Sequence, residues 1–207
     1  MKNDYIIRKE IPADYRTVEN LTREAFWNVY RPGCSEHYVL HQFRDRTEFV
    51  KELDFVLEVG GQIIGHVMFV RAEIQADDGS VLPIMTFGPL SIHPDYQRKG
   101  YGKVLLDYAL EKAAEMGVGA VCMEGNIDFY GKCGFDVASK SGIHYYAEPL
   151  ENEVPYFLLR QLKAGFLDGV TGVYRTPEGY FVDDAQVDEF DQQFPHKEKQ
   201  TLPGQLF

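Results

Sequence analysis

The chain has 207 residues, with 32 acidic against 21 basic side chains and a formal net charge of −11 when the histidines are neutral. That balance excludes proteins that wrap nucleic acid or lie on anionic membranes, since both need clustered cations, so no nucleic-acid and no membrane partner is expected. A hydrophobic share of 44%, with 14 Phe and 13 Tyr, excludes a disordered or fibrous chain and supplies one substantial core.

Met1 to Tyr5 runs straight into charged residues without the apolar stretch of a signal peptide. The longest apolar run, Ile63 to Val70, is broken by Gly65 and His66 and falls far short of the ~20 residues of a spanning helix. Cys34, Cys122 and Cys133 are odd in number and lack CxxC spacing, which points to reduced thiols in a cytoplasm. Tyr5 to Arg8 reads as a short strand. Pro12 then opens a helix with Val18, Leu21, Ala25 and Phe26 at helical spacing. A second helix is expected over Glu36 to Phe43, followed by a strand over Asp54 to Val59. Gly60-Gly61 is a hairpin turn into a strand over Gln62 to Glu73, and Asp77 to Ser80 turns into a long strand over Val81 to Ile92. The period then changes. Tyr101 to Met116 is an amphipathic helix capped by Gly117, and Val118 to Met123 has the continuous apolar run of a strand buried on both faces. A short helix around Asp128 to Cys133, a strand over Gly134 to Val137 and a last strand over Tyr156 to Leu159 complete the reading. From about Lys163 the apolar density falls, and Asp183 to Glu189 reads as a solvated helix N-terminus.

The informative segment joins the long strand to the amphipathic helix. Gly100 and Gly102 at a helix N-terminus let successive backbone N–H groups point at one anion, and Arg98, Lys99 and Lys103 gather cations in an acidic chain. A Walker A loop is excluded because Gly102-Lys103 is followed by Val104 instead of Ser or Thr. A dinucleotide fingerprint is excluded because Leu105 stands where a third small residue belongs. The pattern Gln/Arg-x-x-Gly-x-Gly/Ala is met at every fixed position by Gln97 to Gly102.

With this loop the sequence resembles the GNAT superfamily, the Gcn5-related N-acetyltransferases, over roughly residues 5 to 162. Leu90 to Gln97 looks like the family's strand-to-loop approach, and Tyr130 followed by Gly134-Phe135 looks like its later helix-to-strand motif. The Gly-Asn-x-x-Phe-Tyr spacing at Gly125 to Tyr130 is similar to the YhbS-like subgroup of bacterial acetyltransferases. The resemblance implies an α+β fold of three layers. Its mixed, mostly antiparallel central sheet has helices on both faces and a V-shaped splay between the fourth and fifth strands. Residues 1–162 would form that domain, with 163–207 an extension packed on it.

The resemblance further implies that acetyl-CoA enters the splay as co-substrate and that no metal is needed. Its pantetheine would follow the strand at Leu90, Ser91 and Ile92. Its pyrophosphate would sit on Gln97, Arg98, Lys99, Gly100, Tyr101, Gly102 and Lys103, with Asn126 and Phe129 as further cofactor contacts. Tyr130 would protonate the leaving thiolate, and the N–H of Ile92 would bond the thioester oxygen. Glu124 would face the cleft as base, acting through water; a solvated turn carboxylate is its plainer reading. Thr86, Phe87 and Gly88 stand where some relatives carry a glutamate. The function so implied is transfer of acetyl to a primary amine of a small molecule or peptide in a ternary complex, by a monomer or homodimer. A non-catalytic acyl-CoA-binding or sensing module on the same fold is the alternative. His37 and His41 lie i, i+4 on one helix but lack further zinc ligands, so a solvated or half-buried helix face is expected. Cys122 reads as a small core residue, and Cys133 has no legible base beside it.

Overall fold

The computed structural model describes residues 5–206; the reading made on Met1 to Asp4 lies outside them. Among the described residues there are nine strands: β1 (Tyr5–Lys9), β2 (Phe55–Val59), β3 (Gln62–Ala76), β4 (Val81–Ile92), β5 (Ala120–Glu124), β6 (Asp136–Val137), β7 (Ile143–Tyr145), β8 (Phe157–Gln161) and β9 (Gly172–Tyr174). The helices are α1 (Tyr15–Phe26), α2 (Glu36–Phe43), α3 (Tyr101–Glu115), α4 (Ile127–Tyr130) and α5 (Asp184–Asp191). The strands form one sheet in the order β1-β2-β3-β4-β5-β8-β6, while β9 pairs with the far half of β3 and with β7. Pairing is antiparallel except for β4 with β5 and β7 with β9.

Side chains alternate across the sheet and so divide the core into two faces. Val67 and Phe69 of β3 meet Leu105, Leu106, Ala109 and Leu110 of α3. Met68 and Val70, one residue out of step, meet Val18 of α1 and Leu40 and Phe43 of α2 on the opposite face. The register of β3 against β4 steps from Val67↔Leu90 to Phe69↔Phe87, so β4 spends one extra residue at Gly88-Pro89. Such a bulge bends its strand. Beside it β4 and β5 touch at the single pair Met85↔Val121 and then diverge, which is the splay expected between the fourth and fifth strands.

Two strands were not legible in the sequence. β7 and β9 are three residues each, too short to display an alternating pattern. β9 lies in the segment after residue 163, so that segment supplies a strand of the central sheet. Gly172 is required there, because a Cβ would lie 2.3 Å from the carbonyl oxygen of Gln75 on β3. β5 begins at Ala120, two residues later than expected, since Gly117 terminates α3 in a left-handed conformation and Val118 returns its N–H to Ala113.

Candidate active site in the splay between β4 and β5

The floor of the splay is backbone. His93 donates its N–H to the Ile64 carbonyl on β3 at 2.8 Å, with Ile92 opposite Gly65 and Leu90 opposite Val67. In an antiparallel pair every second residue turns its N–H and C=O away from the partner, so Leu90 and Ile92 turn theirs toward the open side. Ser91, between them, faces the other way. Its fully buried hydroxyl lies 2.8 Å from that of Thr22 on α1, which pins α1 onto this stretch of β4. Its side chain is thus turned to α1 and its N–H and C=O to β3, so the expected cofactor contact of Ser91 finds no polar group facing the splay.

Beyond β4 the loop turns on two left-handed residues, Arg98 (φ 58°) and Gly100 (φ 89°). Gly100 is the N-cap of α3 and has no side chain to cap with, and the first helical bond reaches it from Val104 at 3.1 Å. The N–H groups of Tyr101, Gly102 and Lys103 are thus the unpaired first donors of a fifteen-residue helix, where the dipole favours an anion. Gln97 and Lys99 brace the loop: Gln97 Nε2 donates to the Ile92 carbonyl at 3.0 Å and Lys99 Nζ to the Asp95 carbonyl at 2.7 Å. Lys103 pairs with Asp107, and the Tyr101 ring packs on Tyr96 with centroids 6.0 Å apart. Arg98 has no ion-pair partner among the described residues and is exposed. Gly102 itself is helical; a Cβ there would lie 3.4 Å from the Phe129 ring and 3.6 Å from Ile92, so α4 closes on the start of α3.

Asn126 caps α4, its side-chain oxygen accepting the Asp128 N–H at 2.8 Å. That bond fixes the turn that presents Phe129, which is 36% exposed. Tyr130 is held from several sides, with ring centroids 4.8 Å from Phe129, 5.8 Å from Phe87 and 6.0 Å from Phe135. Burial pushes its phenol well above the usual tyrosine range, and Tyr30 adds to the push, so the group is a proton carrier at neutral pH. Burial likewise pushes up the thiol of neighbouring Cys133, keeping it protonated.

Glu124, exposed at the end of β5, is not a free turn carboxylate. Its Oε1 accepts from Thr176 Oγ1 at 2.7 Å, and Thr176 lies 3.1 Å from the Tyr145 hydroxyl. A carboxylate only accepts, so the single Thr176 proton is committed to Glu124 and Tyr145 must donate to Thr176. Alternation along β5 turns Glu124 to the face of Cys122, which packs with Ile74, Tyr145 and Tyr174, and away from Val121 and Met123 on the α3 side. Thr176 and Tyr145 carried no sequence signal, because the contacts close over long chain separations.

Two polar clusters lie away from the splay. His37 was expected on a solvated or half-buried helix face; it is fully buried, because α5 and the turn after it cover it with Phe190 and Phe194 at ring distances of 5.4 Å. Cys34 Sγ lies 3.4 Å from His37 Nδ1 and Asp191 Oδ1 lies 3.2 Å from its Nε2, while Arg23 grips the same Asp191 at 2.5 and 3.0 Å. His41 instead contacts Glu19 at 2.8 Å, so the two histidines share no centre. The α5 end of the acidic stretch is therefore an anchor, although Asp183 caps its start as a solvated N-terminus would. The second cluster joins Glu10, Asp54 and His66, whose ligand-type atoms lie within 4.8 Å of one another. There the Arg44 guanidinium, 2.7 Å from Glu10, already supplies the positive charge a metal would bring. Burial raises Glu10 to about 7 and Asp54 to about 6, and lowers His66 to about 4. No helix of the described residues is long and apolar enough to cross a membrane.

Comparison with known proteins agrees with this geometry. A family model described as the acetyltransferase (GNAT) family matches residues 20–135. The chain is 26% identical over 175 residues to the uncharacterized N-acetyltransferase YhbS of Escherichia coli strain K12, covering 84% of this chain and 98% of that one. The crystal structure of E. coli YhbS in complex with CoA superposes with a TM-score of 0.73 over 85% of this chain and 91% of that one. A GNAT family acetyltransferase from Brucella melitensis in complex with acetyl-CoA, 22% identical, shares the fold with a TM-score of 0.67 over 86% of this chain and 99% of that one.

Proposed function

The chain belongs to the GNAT acetyltransferase family, and from that premise we propose that it is an acetyl-CoA-dependent N-acetyltransferase acting on a primary amine of a small molecule or peptide. One observation carries the reading: the outward-turned backbone of Leu90 and Ile92 leads directly into the unpaired amides of Tyr101 to Lys103. An acyl-CoA has the matching shape, a pantetheine amide chain that adds to an open strand edge and a pyrophosphate that takes backbone donors. YhbS with CoA, a relative with the same fold, supports the choice of ligand.

The residues divide the chemistry as follows. The Ile92 N–H polarises the thioester carbonyl and stabilises the oxyanion that forms when the amine attacks. The C–S bond then breaks, and Tyr130, held as a neutral phenol by burial, gives its proton to the departing CoA thiolate. The amine must arrive neutral. Glu124, oriented by Thr176, takes its proton through water. Asn126 and Phe129 close the cofactor side, Phe129 by lying against Gly102. Arg98 and Lys99 add positive charge beside the pyrophosphate seat. The decisive experiment incubates the protein with acetyl-CoA and a panel of primary amines, following free thiol. Thiol release that depends on an amine supports the transferase. Tight acetyl-CoA binding without release for any amine overturns it in favour of a non-catalytic acyl-CoA module.

A further inference from the structure

β4 and β5 part after the pair Met85↔Val121, and Gly88 and Glu124 each stand three residues beyond it, one on either side of the opening. Both are held by one short segment from far along the chain. Thr176 donates to Glu124 Oε1 at 2.7 Å, and four residues later the Tyr180 hydroxyl donates to the Gly88 carbonyl at 3.1 Å. The segment therefore crosses the splay, with one hydrogen bond on each of the two diverging strands.

The piece between these bonds is stiff and seated at both ends. Upstream, β9 places Tyr174 opposite Ile74 of β3, and Tyr145 lies 3.1 Å from the buried Thr176 hydroxyl. Pro177, at φ −55°, then leads into a single turn over Glu178–Tyr180, closed by the Tyr180 N–H on the Pro177 carbonyl at 3.0 Å. α2 carries that turn. Gln42 Nε2 donates to the Gly179 carbonyl, and a Cβ on Gly179 would lie 2.5 Å from the Phe43 ring. The Tyr180 and Phe43 rings lie 4.8 Å apart. Burial pushes the Tyr180 phenol well above the usual tyrosine range, so it keeps its proton for the bond to Gly88.

The target of that bond is the bulge of β4. The register skips from Val67↔Leu90 to Phe69↔Phe87, so neither Gly88 nor Pro89 is matched to a residue of β3, and Pro89 has no N–H for the ladder. Tyr180 ties the bulge from the side of Phe43 and Val70, away from α3. Leu90 and Ile92 keep their own register on β3, so the acyl-CoA seat is formed without this tie. What the tie adds is a fixed separation between that seat and Glu124.

We propose that residues 176–180 form a brace across the splay and that Tyr180 is a positioning residue for acetyl transfer, holding the β4 bulge at a set distance from Glu124 on β5. The inference rests on the transferase reading above. It makes the segment after residue 163 part of the reacting geometry, through a residue that touches neither the acyl-CoA seat nor Glu124.

The test measures kcat with acetyl-CoA and the fastest of n-butylamine, 2-phenylethylamine and spermidine, with acetyl-CoA affinity by calorimetry. Tyr180→Phe keeps the ring on Phe43 and removes the bond to Gly88. Thr176→Val keeps the shape and removes the bond to Glu124, and Thr176→Ser keeps that bond. Each cut should lower kcat by about tenfold at unchanged acetyl-CoA affinity, since a misplacement of about 1 Å can cost about a hundredfold. Thr176→Ser should retain the wild-type rate. Cutting either end releases the whole brace, so Tyr180→Phe/Thr176→Val should lose no more than the worse single variant. Gly179→Ala, which drives the turn off Phe43, should repeat the loss and decides the matter if Tyr180→Phe does not fold. Losses that multiply in the double variant overturn the proposal, as does a fall in acetyl-CoA affinity that accounts for the fall in kcat. Absence of turnover by the wild type with every amine overturns the transferase reading and this inference together, whereas a wild-type kcat in Tyr180→Phe overturns this inference alone.

Discussion

The Tyr130 hydroxyl can be removed without removing the ring that packs among Phe87, Phe129 and Phe135. Tyr130→Phe should therefore keep acetyl-CoA affinity in calorimetry while turnover falls by about 10²-fold, the lower end of what a positioned acid contributes, because a thiolate is already a tolerable leaving group. Equal turnover numbers would strip Tyr130 of that role. Glu10 makes a different prediction. Burial raises its carboxyl to about 7, so the folded chain holds a proton that the unfolded chain, at the ordinary carboxylate value, has released. Its stabilisation is complete below the unfolded value and is lost as pH rises toward and through 7. Asp54, raised to about 6, acts in the same direction, and His66 and His37, both lowered to about 4, act oppositely as the unfolded imidazoles gain protons when pH falls through their ordinary value. Just above pH 6.5 a minority of these imidazoles is still protonated in the unfolded chain and offsets part of the loss, which the Glu10 carboxyl otherwise carries. In urea denaturation the Glu10 contribution should fall by roughly 1 kcal/mol per pH unit just above pH 6.5, read as the difference in slope between the wild type and a Glu10 variant. Glu10→Gln should flatten that slope; a slope unchanged in the variant removes Glu10 as its source.

At the scale of elements, the turn into α3 separates charge from geometry. Gly102→Val keeps a helical φ, yet its γ carbons must enter space that a Cβ alone already shares with Phe129 and Ile92 at 3.4 and 3.6 Å. It should lose acetyl-CoA binding measurably by calorimetry with helical content retained, whereas Arg98→Ala, which removes one exposed cation, should weaken binding far less. Equal losses would mean that charge, not the amide array, holds the ligand. The same turn explains what the sequence makes legible. A phosphate loop is a local device, readable because Gln97, Gly100 and Gly102 act through backbone within one turn of chain. The bounds of α2 and β4 are readable for a related reason, since caps and turns mark their ends. Thr176 on Glu124, the 177-residue reach of Gln205 to Asn28 and the burial of His37 under α5 depend on where distant segments land. No window of sequence contains both partners, and strands as short as β7 and β9 offer no period to count.

Over the whole molecule, an acyl-CoA that binds only the folded chain must stabilise it. At a hundredfold excess of acetyl-CoA over its dissociation constant the gain is about 2.7 kcal/mol, visible as several degrees in a thermal melt. CoA should act similarly and ATP weakly; a melt moved equally by ATP would point to a generic phosphate seat. The placement of β9 has a further consequence, in the order of assembly. A chain emerging from the ribosome offers β3 its partners β2 and β4 early, but Ile74 to Ala76 find β9 only after residues 172–174 have been made. Until then that half of β3 is an open strand edge, and Ile74, fully buried in the finished fold beside Tyr174, lacks its cover. Nascent chains arrested before residue 172 should be cut by protease near Ala76 and bind chaperone there, and chains arrested well past residue 174 should resist both.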